Sequence, residues 1–322
     1  MSDKPVVLVT RKLPDAVEQR LAEKFTALLN PEDKLYGTDE LLRLAEQADA
    51  ILPCHTEKFP AATIARLPER VKAIANFSVG VDHVDLEAAR ERGLIVTNTP
   101  DVLSDATAEI AMLLMLGAAR RASEGERIVR NQLWKDWSPA FMVGRQITGK
   151  RLGILGMGRV GQVTATRARG FDMTIHYHNR KPLGAEHAGG AVYHDSVDGL
   201  LSTIDVLSIH CPASDATRGL LNRDRLALMH RDAIVVNTSR GGVVDDDALV
   251  AALKSGAIAA AGLDVYNGEP DAIHSGYREL DNCFLLPHIG SATVETRDAM
   301  GFRAIDNLVA IFSGREPGDR VA

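Results

Sequence analysis

The sequence predicts an α/β protein of two doubly wound parallel-sheet domains with a cleft between them. Three observations carry that prediction. The chain has 322 residues, more than one ordinary core accommodates. Short β-branched runs alternate with stretches of helical periodicity, the pattern of a parallel sheet covered on both faces. The alternation breaks at an irregular stretch over 131–150 and restarts at 151.

PVVLVT (5–10) opens the chain as a strand, and DAVEQRLAEKF (15–25) follows at helical spacing. ADAILPC (48–54), VKAIANFS (71–78) and GLIVTNT (93–99) are further strands, each preceded by a helical stretch. Residues 101–121, DVLSDATAEIAMLLMLGAARR, form a long helix whose apolar middle marks it as buried between layers. Its length and its flanking acids and arginines argue against a membrane span. The irregular stretch 131–150 holds both tryptophans, Trp134 and Trp137. RLGIL (151–155), MTIHYH (173–178), GAVYH (190–194), DVLSIH (205–210), AIVVNTS (233–239), AAGLDVY (260–266) and CFLLPH (283–288) are successive strands, most separated by helical stretches. After 291, TVETRDAMGFRAIDNLVAIFSG reads as a helix of about six turns.

Composition excludes several classes. With 45% hydrophobic and 25% charged residues, the chain is not of the disordered type. A balance of 37 cations against 43 anions leaves no basic excess to neutralise phosphates, which disfavours nonspecific nucleic-acid binding. Cys54, Cys211 and Cys283 are far apart and in no CxxC pattern, so neither a disulfide framework nor a zinc site is expected. The start, MSDKPVVLVT, lacks a leader's apolar run, and no apolar run nears the roughly 20 residues that span a bilayer. The expectation is a soluble cytoplasmic protein with no membrane or nucleic-acid partner and no metal.

The densest chemical signal is LGILGMGRVGQ (152–162). Gly156, Gly158 and Gly161 make G-x-G-x-x-G directly after a strand and before a helical stretch. The glycines permit a tight turn, close approach of a pyrophosphate, and tight strand–helix packing, while the helix N-terminus offers N–H groups to the anion. The plainer alternative is a glycine turn that binds nothing. At the tip of the next strand, HYHNRK (176–181) places Asn179 where an NAD-selecting acid would sit, followed by Arg180 and Lys181. Asparagine does not repel a 2′-phosphate, and the two cations can pair with one. This favours NADP(H), with NAD(H) possible; the alternative is a solvated basic turn.

Three later stretches set polar residues at the C-terminal edges of strands, where open α/β sheets hold ligands. VVNTSRGGVVD (235–245) presents Arg240. GLDVYNGEP (262–270) presents Asp264 and then Glu269. LLPHIGSAT (285–293) presents His288.

Taken in order, TNTPDVLSDATAE, LGILGMGRVGQ, VVNTSRGGVVDDDAL, GLDVYNGEP and LLPHIGSAT make the chain resemble the D-isomer-specific 2-hydroxyacid dehydrogenase family over almost its full length. The NRK segment and the WKDW excursion bring it nearest to the glyoxylate/hydroxypyruvate reductases. The resemblance implies Rossmann-like and flavodoxin-like domains. Residues 1–99 plus 290–322 would bind substrate, and residues 100–289 the dinucleotide. Closure of one domain on the other is expected at the two chain crossings.

The resemblance also assigns roles. Arg240 would hold the substrate carboxylate and polarise the 2-oxo group, unless it is a structural salt-bridge arginine. His288 would be the acid/base, with Glu269 pairing to its ring. The formate-oxidising branch has glutamine where Glu269 stands. Asp264 would accept a hydrogen bond from the nicotinamide carboxamide or cap a turn. Backbone N–H groups of Val79 and Gly80 would meet the substrate carboxylate, unless they form a plain turn. Thr107 lies near the cofactor or is a helix-interior threonine. Cys211 and Pro212 flank the adenosine or pack. Arg159, Val160, Thr238, Ser239 and Gly290 complete the implied cofactor set, with Arg240 and His288. Trp134 and Trp137 anchor a homodimer or pack within one chain, and Cys54 and His55 carry no assignment. The implied reaction is NADPH-dependent reduction of glyoxylate or hydroxypyruvate to glycolate or D-glycerate. The open alternatives are a reductase for 2-ketogluconate or phenylpyruvate, or a nicotinamide-sensing, corepressor-like binding protein. A chain that stops soon after its last helix, with no interaction tail, favours the enzyme.

Overall fold

A computed structural model describes residues 4–322. Residues 1–3, the head of the segment read for a leader, lie outside the described residues. The chain forms two units, one running to Leu103 and resuming at Ser291–Ala322, the other Ser104–Gly290.

The first unit holds β1 (Val6–Val9), β2 (Thr26–Leu28), β3 (Ala50–Leu52), β4 (Ala73–Ala75) and β5 (Ile95–Thr97). All pair in parallel, in the order β2-β1-β3-β4-β5. That order is the flavodoxin-like doubly wound arrangement. Strand β2 escaped the sequence reading because TAL is three half-exposed residues on the sheet edge, too short for any period. The helix Val294–Phe312 opens on Thr293, whose side chain accepts the Thr296 N–H. It spans 19 residues, about five turns instead of six, and stops before Gly314, which takes a left-handed φ of +70°. Met300, Ala304, Ile305 and Leu308 bury its inner face with Val7, Val9 and Ala75.

The second unit holds β6 (Arg151–Leu155), β7 (Thr174–His178), β8 (Val192–Tyr193), β9 (Val206–Ile209), β10 (Ile234–Asn237), β11 (Ala260–Leu263) and β12 (Cys283–Leu285). All are parallel, in the order β12-β11-β10-β9-β6-β7-β8. The chain winds from β6 through β7 and β8 one way, then from β9 to β12 the other. The β6/β9 boundary is therefore the topological switch point. Strands β9, β10 and β11 are buried along their whole length. Apolar layers cover both faces, which is why these strands read as unbroken apolar runs. The helix Ser104–Ala119, shorter at both ends than the sequence pattern, packs on β10, β11 and β12. A further helix, Ala122–Arg130, which the sequence pattern above does not include, buries none of its residues. Residues 131–150 hold no helix or strand. Among the described residues, no helix is long and apolar enough to cross a membrane.

Candidate active site

The glycine loop leaves β6 at the switch point. Gly156 takes φ +92°, and a Cβ there would lie 2.6 Å from the Cys211 backbone nitrogen. It is thus a glycine demanded by the fold. Gly161 is closed against the Gly156 carbonyl, where a Cβ would stand 2.7 Å away. Gly158 is different. A Cβ there meets nothing within 4 Å, so the protein itself does not require its bareness. It caps the helix Arg159–Arg169, whose first N–H groups lack intrahelical partners. Arg159 is exposed, and the Val160 carbonyl accepts the Thr164 hydroxyl at 2.9 Å inside that helix. Open space before a helix N-terminus is the cradle that a pyrophosphate needs, and these residues fit a dinucleotide.

The tip of β7 is tied to this loop. Asn179 Oδ1 accepts the Met157 N–H at 2.7 Å, and the Gly156 N–H donates to the His178 carbonyl at 3.0 Å. The Asn179 side chain therefore holds the loop's shape, a task that the sequence did not reveal. Arg180 and Lys181 beyond it are exposed, with no hydrogen bond or ion pair among the described residues.

Between β6 and β10, β9 ends at His210, Cys211 and Pro212. His210 Nε2 lies 2.8 Å from Ser208 Oγ, and its Nδ1 lies 3.3 Å from Thr238 Oγ1. Burial pushes its imidazole down to about 4, so it is neutral at pH 7. Burial likewise pushes the Cys211 thiol up to about 11, so it is no thiolate at neutral pH. Pro212 is exposed beside it.

Arg240 stands on a loop clamped by Asn237, the last residue of β10. Asn237 Oδ1 accepts the Ser239 N–H at 3.0 Å, and its Nδ2 donates to the Arg240 carbonyl at 2.9 Å. The Ser239 hydroxyl donates to the Cys211 carbonyl. Asn237 is 1% exposed, and its Asx-type turn, with serine two residues on, was a signal open to sequence reading. The next residue, Gly241, lies flat on the neighbouring loop. A Cβ there would be 2.0 Å from the Tyr266 carbonyl carbon and 2.3 Å from the Asn267 nitrogen. The Arg240 loop and the loop leading to Glu269 are thus in backbone contact.

Glu269 and His288 meet at 2.5 Å, Oε1 to Nδ1, while Glu269 Oε2 accepts the Tyr266 N–H at 2.9 Å. His288 takes a left-handed φ of +55°, a conformation that costs a non-glycine residue about 1–2 kcal/mol. Neighbours hold it there. Asp264, 1% exposed, accepts the Ile289 and Gly290 N–H groups at 2.8 Å each. Thr107 donates its hydroxyl to the Gly290 carbonyl at 3.0 Å. Burial outweighs the two amide bonds and raises the Asp264 pKa above the ordinary carboxylate range. The structure thus brings Thr107, Asp264, Glu269, His288 and Gly290 into one hydrogen-bonded cluster at the C-terminal ends of β11 and β12.

In the first unit, Val79 and Gly80 follow β4. Asn98 Nδ2 donates to the Val79 carbonyl at 2.8 Å, and Ser78 Oγ donates to the Gly80 carbonyl at 2.6 Å. Their own N–H groups have no acceptor among the described residues. Cys54, after β3, has its thiol pushed up to about 12, mainly by burial.

Comparison with known proteins identifies the family. The family model for the D-isomer specific 2-hydroxyacid dehydrogenase NAD binding domain matches residues 112–290. The chain is 42% identical over 315 residues to a glycerate dehydrogenase of Hyphomicrobium methylovorum, covering 97% of this chain and 98% of that one. It is 41% identical to a glyoxylate reductase of Thermococcus kodakarensis, covering 98% of this chain and 95% of the relative. A solved NADPH-dependent glyoxylate/hydroxypyruvate reductase from Sinorhizobium meliloti, in complex with NADP and malonate, superposes with a TM-score of 0.88 at 33% identity, covering 99% of this chain and 97% of that one. The NAD binding family model and the NADP complex of the Sinorhizobium meliloti enzyme support a nicotinamide dinucleotide as the cofactor class. This chain, an oxidoreductase, belongs to the D-isomer specific 2-hydroxyacid dehydrogenase family and is glyoxylate reductase-like within it.

Proposed function

We propose that this protein reduces glyoxylate or hydroxypyruvate with NADPH, giving glycolate or D-glycerate. The observation that carries the reading is the Glu269–His288 pair, 2.5 Å apart at the ends of adjacent strands and one loop away from Arg240. When bound, the reduced nicotinamide supplies the hydride. His288 delivers the proton to the substrate's carbonyl oxygen. With Nδ1 committed to Glu269, Nε2 is the nitrogen that exchanges it. Arg240 offers a planar fork of donors to the 2-oxo group and carboxylate. In the first unit, the open N–H groups of Val79 and Gly80 suit a substrate carboxylate, which makes that unit the substrate-binding one.

The second unit takes the dinucleotide. Gly158 and the N–H groups from Arg159 to Gly161 hold the pyrophosphate. Thr238, Ser239, Cys211 and Pro212 line the cofactor's path along the strand ends. Asp264 spends one lone pair of each oxygen on backbone amides and keeps others for the carboxamide. Arg180 and Lys181, exposed and unpaired, receive the 2′-phosphate. The NADPH-dependent relative from Sinorhizobium meliloti supports this preference. The experiment is a comparison of kcat/KM for NADPH and NADH with both acids. NADPH should lead by about tenfold or more, the worth of one good charge-assisted contact. A lead for NADH overturns the preference.

We also propose a homodimer. Trp134 and Trp137 are 55% and 74% exposed, beside exposed Leu133, Phe141 and Val143, an apolar surface suited to a partner copy. Sedimentation equilibrium giving the mass of one chain would remove this part. The three free cysteines suit a reducing cytoplasm.

A further inference from the structure

Arg297 is anomalous among the arginines of the first unit. It lies in the first turns of the helix Val294–Phe312, half-buried, with its guanidinium carbon 6.0 Å from the centre of the Phe77 ring. The other arginines of that unit that are not fully exposed are all satisfied. Arg11 pairs with Asp33, Arg20 with Asp306 and Arg303 with Asp319, while Arg92 donates to the carbonyls of Ile64, Leu67 and Pro68. Arg297 has no hydrogen bond or ion pair for its guanidinium among the described residues. Burial lowers its pKa from the ordinary arginine value, which records the same lack of compensation. The Cys54 thiol nearby does not neutralise it, because at about 12 that thiol is protonated at neutral pH. Glu57 does not either. Its carboxylate is spent on the Thr10 and Thr56 hydroxyls and the Cys54 N–H.

A half-buried cation with no counter-charge is costly, and such groups pair with something. The position says with what. Phe77 and Cys54 follow the adjacent strands β4 and β3, at the sheet edge where doubly wound folds hold ligands. Two residues beyond Phe77 stand Val79 and Gly80, whose carbonyls are bonded to Asn98 and Ser78 and whose N–H groups are open. One cation and two open donors on the same edge describe an anion site.

We infer that Arg297 is the fixed counter-charge of the first unit and takes the carboxylate of the 2-oxo acid together with the Val79 and Gly80 amides. This rests on the 2-oxo acid reading above. It makes Arg297 a substrate-binding residue that reads the carboxylate, indifferent to what the acid carries on C3.

The test uses the full chain with Arg297→Gln and Arg297→Lys. The Gln variant should raise KM for glyoxylate and hydroxypyruvate by a similar factor, about tenfold or more, with kcat held within about threefold, because a contact made equally before and during reaction is lost. Lys should restore part of the loss, and NADPH affinity should not move. Thermal stability should hold or rise, since an uncompensated charge has been removed, whereas a structural arginine would lower it. KM unchanged for both acids overturns the inference. A rise for hydroxypyruvate alone also overturns it, by moving Arg297 to the C3 hydroxyl. Calorimetric titration with oxalate separates the two failures. If the wild type turns over no 2-oxo acid, the functional reading falls, and equal oxalate heats in wild type and Arg297→Gln then overturn the role of Arg297 as well.

Discussion

Glu269 divides its carboxylate between two neighbours, with Oε1 2.5 Å from His288 Nδ1 and Oε2 accepting the Tyr266 N–H at 2.9 Å. One oxygen sets the ring and the other fixes the loop that carries it. Glu269→Gln keeps an oxygen for one of these tasks and removes the charge. The expected result is a folded protein with unchanged NADPH affinity and kcat lower by about 10²-fold or more, the usual worth of positioned acid–base catalysis. Fluorescence titration and steady-state rates on the same preparation check it.

The glycines of the phosphate loop should separate by function. Gly156→Ala meets the Cys211 backbone and an unfavourable φ of +92°, so it should lower stability by about 1–3 kcal/mol. Gly158→Ala meets only open space in the protein, so its melting temperature should stay at the wild-type value while NADPH affinity falls by an order of magnitude. Paired thermal melts and cofactor titrations distinguish the two.

Gly241 is the contact between the Arg240 loop and the loop before Glu269. Gly241→Ala would drive a methyl into the Tyr266–Asn267 peptide, which is backbone and cannot rotate away. Stability should fall by about 2 kcal/mol or more, and kcat/KM should fall beyond what unfolding explains, because two loops of the proposed active site are pushed apart. Chemical denaturation alongside kinetics at low temperature measures both.

Asp205 gives the pH dependence. Arg151 holds it with two side-chain bonds of 2.9 and 2.7 Å and a backbone bond of 2.9 Å, joining the start of β6 to the residue before β9. These contacts, the Arg151 side chain first, lower the carboxyl to about 2. A depressed acid stabilises the fold above its unfolded pKa of about 3.9 and loses that contribution as pH falls towards 2. With screening at this partly exposed site, the contribution at pH 7 is about 1–2 kcal/mol. Asp205→Asn should therefore be less stable than wild type at pH 7, and the gap should close as pH falls from 4 to about 2. A gap that stays constant with pH would contradict the pairing.

The sequence carried much of this site because its parts are local. A glycine loop needs only its strand and helix as neighbours, and Arg240, Asp264 and His288 stand just past short apolar runs. What was hidden depends on pairings far apart in the chain. Asn179 was read for its missing charge, yet its amide is committed to Met157, 22 residues earlier. Thr107 reads from the sequence as a cofactor neighbour or a helix-interior threonine, and its hydroxyl reaches Gly290, 183 residues away. Asp264 was read as a carboxamide acceptor or a turn cap, and in the structure it pins the two residues after His288. Strand β2 is silent for a different reason, since its three residues lie half-exposed on a sheet edge and are too few to show a period.

The central claim is that His288, set by Glu269, protonates a 2-oxo acid as the nicotinamide reduces it. Its most direct test is NADPH oxidation with hydroxypyruvate by wild type and His288→Gln, with chiral analysis of the product. The wild type should give D-glycerate, and the variant a kcat lower by about 10²–10⁴-fold with NADPH still bound. A variant that reduces hydroxypyruvate at the wild-type rate would contradict it.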